Sequence, residues 1–415
     1  MPRSLRLVLI ALAAVTALWA ASVVWRQNER AAGLDFYIYF VAGQLAGRDD
    51  VANIYDAEVQ ARVGEEYFER AQRSGSELRR YDAGRRRRLD LVSSPFLFST
   101  LRWVSRDYDR ALTQYHAFLL FCFCAGVLLL CRASRVSWAA SLFLLAGLLL
   151  LYRGFEADLR VGNVNSIQLL LVAIAVAFAR VRWLVFGLLI AFKPNLLFVP
   201  LLFFIAERAR WRMNVIQGAL GGAIAFVVAS VTYGSPRVWL QWVSAANAFY
   251  HRLPTRMERN VTPALPLFHE YGEWLGYVLA AVLLAVVIAR MSGRQAILPV
   301  GTDRIVWPPL LAGLGIMIYL LTANVVWLHY MVLALPLAIA LLRWRPTAVV
   351  AVAALLLIAE EPFEKVARVA AAPVESWLIT PALVALYACG VWKLTGRPEA
   401  SRRFPSHRHP PATGG

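Results

Sequence analysis

Long apolar segments alternate with short arginine-rich segments over most of this chain. A helix needs roughly 20 apolar residues to cross a hydrocarbon core about 30 Å thick, and the longer segments reach that length. The pattern predicts an all-α polytopic membrane protein with about 10–12 transmembrane or re-entrant helices. The apolar blocks fall at 5–25, 111–131, 137–152, 164–179, 183–206, 215–232, 273–290, 306–321, 328–342, 348–359 and 376–392.

Composition supports membrane insertion and gives no support for nucleic-acid binding. Of the 415 residues, 59% are hydrophobic, against about 45–50% in a typical soluble domain. The formal net charge is +17, and most of the arginines lie in short segments between apolar blocks. Membrane topology explains such arginines, because short positively charged loops stay in the cytoplasm. We therefore expect a lipid bilayer as partner and no nucleic acid.

The chain reads as one integral-membrane domain over residues 1–395. Its first block, Leu5–Trp25, follows a basic start and reads as a retained anchor, with a cleaved signal peptide as the alternative. Residues 26–110 are expected to form a long extracytoplasmic loop with interfacial helices, among them the apolar segment Leu89–Val104. Residues 396–415 are rich in Pro, Gly and Arg and are expected to form a disordered cytoplasmic tail.

Orientation depends on how the 183–206 block is interpreted. As a single span it would place later arginine loops on the outer side, against the positive-inside rule. Lys193-Pro194 lies near its middle, and proline breaks helices while a lysine at mid-membrane is costly unless it has a function. We therefore predict two half-length or broken helices that return to the same side. The outer face then collects segments 26–110, 153–163, 233–272, 322–327 and 360–375.

Four candidate groups reach that face, and each has a structural alternative. Asp35 heads an aromatic run, so it is either a helix N-cap or a general base near apolar surface. Asn163 either caps a helix or binds hydroxyl or phosphate oxygens. Lys193 is either structural or binds a lipid phosphate. His329 either belongs to an interfacial aromatic belt, or it binds a leaving phosphate or assists proton transfer. Glu156 and Asp158 are expected to pair with neighbouring arginines.

The ordered set of motifs resembles glycosyltransferase family 87, the polyprenol-phosphate-mannose-dependent mannosyltransferases of the GT-C superfamily. The matching segments are "LDFYIYFVAGQLAG" after the first span, "IYD" (Ile54–Asp56), "SSPFLFSTL" (Ser93–Leu101), "GNVNSIQLLL" (Gly162–Leu171), "GLLIAFKPNLLFVPLL" (Gly187–Leu202), "RNVTPALPLF" (Arg259–Phe268) and "NVVWLHYMVLALP" (Asn324–Pro336). They run over most of the chain in the family's order.

The resemblance implies a GT-C-type fold and an inverting transfer of a mannosyl or related residue. The donor would be a polyprenyl-phosphate sugar and the acceptor a lipid-linked glycan on the extracytoplasmic face of a bacterial inner membrane. The implied roles are catalysis by Asp35 and His329, binding of the donor phosphate or lipid by Lys193, Arg256, Arg259 and Tyr330, and binding of sugar or acceptor by Asn163, Asn165, Asn260 and Trp327. We expect no cofactor and leave a divalent metal open.

Two other functions compete with this hypothesis. A transporter or flippase for a lipid-linked sugar would also need an intramembrane lysine and a broken helix. The polar residues cluster at one face and one loop is long and asymmetric, which favours the enzyme. A non-catalytic structural subunit is the second rival, and the concentration of Asp, Lys and His at one face argues against it.

Overall fold

The computed structural model describes residues 3–29, 31–250, 261–263, 268, 271–295, 307–358 and 374–395, and the described chain is helical. In chain order the helices are α1 (Arg3–Asn28), α2 (Leu34–Leu45), α3 (Ala57–Gln72), α4 (Glu77–Arg85), α5 (Pro95–Thr100), α6 (Tyr108–Ala133), α7 (Trp138–Leu151), α8 (Arg153–Val161), α9 (Asn165–Ala177), α10 (Arg182–Phe192), α11 (Phe198–Ala206), α12 (Trp211–Thr232), α13 (Arg237–Tyr250), α14 (Trp274–Gln295), α15 (Trp307–Thr322), α16 (Leu335–Leu341), α17 (Arg345–Ile358) and α18 (Val374–Thr395). Three 3₁₀ segments join them at Pro194–Leu196, Arg208–Arg210 and Leu328–Ala334.

The long apolar helices present hydrophobic side chains outward, as helices in contact with lipid do. On α1 the outward residues include Val15 and Leu18, and on α12 they include Ile216 and Val231. An exposed apolar surface of this extent would be unfavourable in water. The chain therefore has the architecture of a helical membrane protein.

The apolar helices of the described chain divide by length into full spans and shorter helices. Within the described residues, four helices qualify by length and composition, namely Ser4–Asn28, Tyr108–Ala133, Arg208–Thr232 and Trp274–Ser292. The count rises to five if α7 and α8, which are bent by 62° at Tyr152, form one broken span. Seven further apolar helices of 10–17 residues in the described chain coincide with other apolar blocks of the sequence. The predicted tail, 396–415, lies outside the described residues.

The 183–206 block forms the predicted broken hairpin. Lys193 has an extended backbone conformation between α10 and the 3₁₀ turn that leads into α11. Arg182 at the start of α10 forms an ion pair with Glu207 just after α11, and the Trp183 Nε1 donates to the other Glu207 oxygen at 3.0 Å. The block therefore begins and ends at the same end of the bundle, with Lys193 at its tip.

A glycine contact holds this hairpin against α12. A Cβ on Gly187 would lie 2.1 Å from the Gly218 carbonyl oxygen, and one on Gly221 would lie 2.2 Å from the Leu184 carbonyl oxygen. Small residues at such positions let helix backbones approach closely, which is a common way to pack helices in membranes. The contact fixes α10 and thereby the position of the Lys193 turn.

Gly187→Ala is expected to lower stability by about 1–3 kcal/mol, since overpacking forces the two helices apart. The readout is the melting temperature of the purified protein in detergent. Gly147→Ala on α7 is the matched control, because nothing lies within 4 Å of its added Cβ. Alanine also favours helix over glycine, so the control should melt at an equal or higher temperature. An unchanged melting temperature for Gly187→Ala would contradict this account of the contact.

Within segment 26–110, α2 is followed by α3, α4 and α5, of which α4 and α5 contact α2. Asp56, Ser76 and Ser94 cap α3, α4 and α5 through side-chain hydrogen bonds to backbone N–H groups. The apolar residues of α5, within the segment Leu89–Val104, are buried against protein. The Ser94 hydroxyl donates to the Phe192 carbonyl at 2.8 Å, which joins the loop to the end of α10.

Candidate active site

Asp35 lies in the first turn of α2 and accepts two hydrogen bonds from distant parts of the chain. Arg86 donates to Oδ1 at 2.6 Å, and the Asn163 amide donates to Oδ2 at 2.6 Å. Gly33, not Asp35, is the N-cap of α2. The N-cap interpretation of Asp35 is therefore wrong, because its carboxylate is directed to side chains of other segments.

The short helix α4 brings Arg86 to Asp35. Arg86 follows α4 and also donates through Nε to the Leu34 carbonyl at 3.2 Å. One turn earlier, Asp82 accepts the Gly33 N–H at 3.1 Å and the Tyr108 hydroxyl at 2.5 Å. Burial raises the pKa of the Asp82 carboxyl, and these two hydrogen bonds oppose that rise. The α4 segment therefore forms hydrogen bonds both to the backbone before Asp35 and to the Asp35 carboxylate.

The α8–α9 turn presents Asn163 to Asp35. Gly162 ends α8 with φ +67°, and a Cβ there would lie 2.6 Å from the Cβ of Phe36. Only glycine combines this left-handed conformation with such close approach at low cost. The Tyr115 hydroxyl donates to the Asn163 carbonyl at 3.0 Å, and Asn163 Oδ1 accepts the Val164 N–H. Asn163 is therefore held with its amide N–H₂ toward the carboxylate.

Asp158 is fully buried behind this turn and has a structural role. It accepts hydrogen bonds from the Asn165 amide at 3.0 Å, the Ser166 N–H at 2.9 Å and the Ser166 hydroxyl at 2.6 Å. The prediction that Asp158 pairs with an arginine is wrong. Glu156 does pair with Arg153, at 2.9 Å. Both Asp158 oxygens bond to the start of α9, so Asp158 fixes the turn that carries Asn163.

Lys193 and the Trp327–Tyr330 segment form a second wall. The Lys193 ammonium lies 3.3 Å from the Tyr330 hydroxyl and 4.7 Å from the centre of its ring. His329 is buried and stacks on Tyr330 with ring centroids 4.8 Å apart, and Trp327 lies 5.6 Å from the His329 ring. The His329 carbonyl accepts from the Asn165 amide at 3.2 Å, which joins this wall to α9.

These walls surround one site. His329 lies within electrostatic range of both Asp35 and Lys193, and Asp158 lies within range of Lys193. The structure therefore brings together the predicted residues Asp35, Asn163, Asn165, Lys193, Trp327, His329 and Tyr330. They come from four separate segments of the sequence.

Three predicted residues, Arg256, Arg259 and Asn260, lie outside the described residues. The residue that follows them is placed beside the site, because the Val261 N–H donates to the Val326 carbonyl at 2.7 Å, one residue before Trp327. Within the described chain, no group of three or more His, Cys, Asp or Glu side chains is arranged to hold a metal ion.

Two site residues were missed from the sequence. Arg86 belongs to a run of four arginines, Arg85–Arg88, in the long segment 26–110, and no motif of the sequence singles it out. Tyr39 was noted as part of the aromatic run, yet it lies within electrostatic range of Asp35, Arg86, Asp158 and Tyr330. Its position four residues after Asp35 places both on one face of α2, which is the signal that could have identified it.

Comparison with protein-family models, with curated proteins and with solved structures found no match for this chain. The resemblance to glycosyltransferase family 87 therefore rests on the ordered sequence segments alone. What the structure adds independently is that residues from those segments meet at one site in a helical membrane protein.

Proposed function

We propose that this chain is a membrane glycosyltransferase that moves a mannosyl or related residue from a polyprenyl-phosphate sugar to a lipid-linked or glycan acceptor. The transfer inverts the anomeric configuration and takes place on the extracytoplasmic face of a bacterial plasma membrane. The observation that carries this proposal is that a carboxylate, Asp35, and a cation, Lys193, from separate segments of the chain both lie within electrostatic range of the buried His329.

Asp35 is suited to act as the general base. An inverting transfer needs one group that takes the proton from the acceptor hydroxyl as the new glycosidic bond forms. Asp35 is held by Arg86 and Asn163, and its side chain is 14% exposed, so it is fixed in position and still reachable. Each carboxylate oxygen can accept more than one hydrogen bond, which leaves room for the acceptor hydroxyl.

Lys193 is suited to receive the departing lipid phosphate. Preorganised positive groups stabilise charge that develops on a leaving group. Tyr330 lies against Lys193, and its hydroxyl and ring limit where the ammonium can move. A phosphate leaving group carries its own negative charge away, so the reaction needs little acid assistance on this side.

Lys193→Met is expected to weaken binding of a polyprenyl-phosphate sugar tenfold or more, about 1.4 kcal/mol, because methionine keeps an apolar stem and loses the charge. The measurement is the Kd for donor on purified protein. Lys393→Met is the matched control, since Lys393 also lies over aromatic rings, those of Trp344 and Trp392, in another part of the molecule. Unchanged affinity together with a lower melting temperature would show that Lys193 is structural.

The proposed orientation is tested by labelling introduced cysteines in intact cells, in a variant whose native cysteines are replaced. Arg160→Cys and Ala323→Cys should react with an impermeant thiol reagent from outside, because both positions belong to the proposed outer face. Arg132→Cys lies in the last turn of α6, at the opposite end, and should be protected. Protection of Ala323→Cys alongside reaction of Arg160→Cys would contradict the common face.

The activity itself is tested with membranes that contain or lack this chain, supplied with radiolabelled polyprenyl-phosphate mannose. The proposal predicts that label moves from the donor into a more polar glycolipid or glycan only when the chain is present. The product is then identified by mass spectrometry. Label that stays entirely in the donor lipid, with several candidate acceptors supplied, would contradict a transferase.

Transport of a lipid-linked sugar is the second candidate, and the break at Lys193 is the observation that favours it. In transporters such breaks face a binding site near the middle of the membrane. A transporter would move labelled donor between leaflets of a vesicle without changing its chemistry. The transferase proposal instead predicts a new covalent product. That product should form whether or not the donor moves between leaflets.

A further inference from the structure

Four buried polar atoms around the Lys193 turn have no hydrogen-bond partner among the described residues. They are Asn165 Oδ1, Gln168 Oε1, Asn195 Nδ2 and His329 Nε2. Asn165 and Gln168 are completely buried, and His329 is 7% exposed. An unsatisfied buried polar group costs about 1–3 kcal/mol, so four in one place indicate that something else bonds to them.

The four atoms belong to side chains that are already connected. The Gln168 amide donates to Asn195 Oδ1 at 2.7 Å, and the Asn165 amide donates to the His329 carbonyl at 3.2 Å. Asn165 and Gln168 are three residues apart on α9 and share a face. Asn195 lies two residues after Lys193, so the cluster adjoins the cation. Asn195 is half-buried as a residue, and its Nδ2 is buried like the other three atoms.

The chemistry of the atoms specifies the ligand. Two are amide oxygens that only accept, one is an amide N–H₂ that only donates, and the imidazole nitrogen can do either. Phosphate or carboxylate would be repelled by the two amide oxygens. Hydroxyl groups both donate and accept, so a neutral sugar with several adjacent hydroxyls can satisfy all four atoms.

We propose that Asn165, Gln168, Asn195 and His329 form the pocket for the sugar of the donor, and that this pocket accepts a neutral, polyhydroxylated sugar. The inference rests on the proposed function and extends it to Gln168 and Asn195. In this arrangement Lys193 holds the phosphate, and the sugar lies beside it with its hydroxyls on the amides. The pocket thus sets sugar specificity, whereas Lys193 binds the part common to all polyprenyl-phosphate donors.

The test compares two probes on purified protein, a short-chain prenyl phosphate and the same lipid carrying one mannosyl group. Binding of both is measured by titration calorimetry. In the wild-type protein the mannosyl group should increase affinity tenfold or more. Gln168→Leu with Asn195→Leu removes both partners of one hydrogen bond together, which limits the cost to folding. It should abolish the gain from the sugar and leave prenyl phosphate affinity within about twofold, a change of less than 0.5 kcal/mol.

Other variants separate the possible outcomes. Lys193→Met should weaken both probes, and Gln168→Leu alone serves if the double variant does not fold. Ser134→Ala removes another buried hydroxyl that has no partner in the described chain, at the far end of α6, and should change neither affinity.

Two results would overturn the inference. One is a wild-type protein that binds prenyl phosphate but gains nothing from the sugar, and the other is a double variant that keeps the full gain. If neither probe binds the wild-type protein, the proposed function itself is contradicted.

Discussion

Asp35→Asn is expected to reduce transfer by roughly 10²-fold or more while the protein still folds and binds donor. The factor is the usual contribution of a positioned general base. Asparagine has the size of aspartate but cannot take up the proton of the acceptor hydroxyl. Donor binding depends on Lys193, which belongs to the second wall, and should remain. Turnover and donor affinity, measured on the same preparation, separate catalysis by Asp35 from donor binding by Lys193.

The structure also predicts a modest loss of stability in this variant. Arg86 and Asn163 both donate to the Asp35 carboxylate, whereas an asparagine offers a single acceptor oxygen. One donor therefore loses its partner, at about 1–3 kcal/mol. Asp35→Ala removes both acceptors and should be equally inactive and less stable still. A fall in melting temperature without loss of turnover would mean that Asp35 is only structural.

Asp50→Asn is the matched control for this experiment. Asp50 also binds arginines in the same outer segment, Arg48 and Arg62, each at 2.8 Å, but its side chain is half-exposed. Its substitution should leave transfer unchanged. Near-normal turnover in Asp35→Asn would mean that another residue is the general base. Asp158 is then a poor replacement, because it is buried and both its oxygens are bonded to the start of α9.

Gly162→Ala is expected to have the second-largest effect. The φ of +67° costs an alanine about 1–2 kcal/mol. Its Cβ would also lie 2.6 Å from the Cβ of Phe36, and relief of that contact moves the α8–α9 turn away from α2. Asn163 would leave Asp35, so transfer should fall at least about tenfold, which is 1.4 kcal/mol in the barrier. Turnover and melting temperature are measured together.

Gly234→Ala isolates the backbone part of this effect. Gly234 has φ +70° and nothing within 4 Å of its added Cβ. Because of the same backbone strain, Gly234→Ala should lose a similar amount of stability, and it should keep full activity. Equal activity in Gly162→Ala and Gly234→Ala would contradict the role assigned to the α8–α9 turn.

The break at Lys193 could be predicted from the sequence, because proline and a charged side chain in an apolar block are strong local signals. The Arg182–Glu207 ion pair and the Trp183 hydrogen bond confirm that the block ends at the same end of the bundle where it begins. The proximity of Asp35, Asn163 and His329 followed from the same topology, because all three were placed at one face.

Contacts that depend on tertiary packing could not be predicted. Arg86 is one of four consecutive arginines, and nothing in that run distinguishes the one that the capped helix α4 directs to Asp35. Asp158 was expected to bond to arginines near it in sequence, but the left-handed Gly162 turn brings Ser166 and Asn165 closer. Helix ends were also not predicted, because hydropathy shows where a block is apolar and not where its helix ends: the block 111–131 lies within the longer α6 (Tyr108–Ala133).

The central claim is most directly tested by the anomeric configuration of the product. Purified protein is supplied with a polyprenyl-phosphate sugar of defined anomer and an acceptor identified in the membrane assay, and the first product is analysed by NMR. A single displacement assisted by Asp35 predicts a product whose anomer is opposite to that of the donor. A product that retains the donor's configuration would contradict this account, as would a donor that is bound and never cleaved.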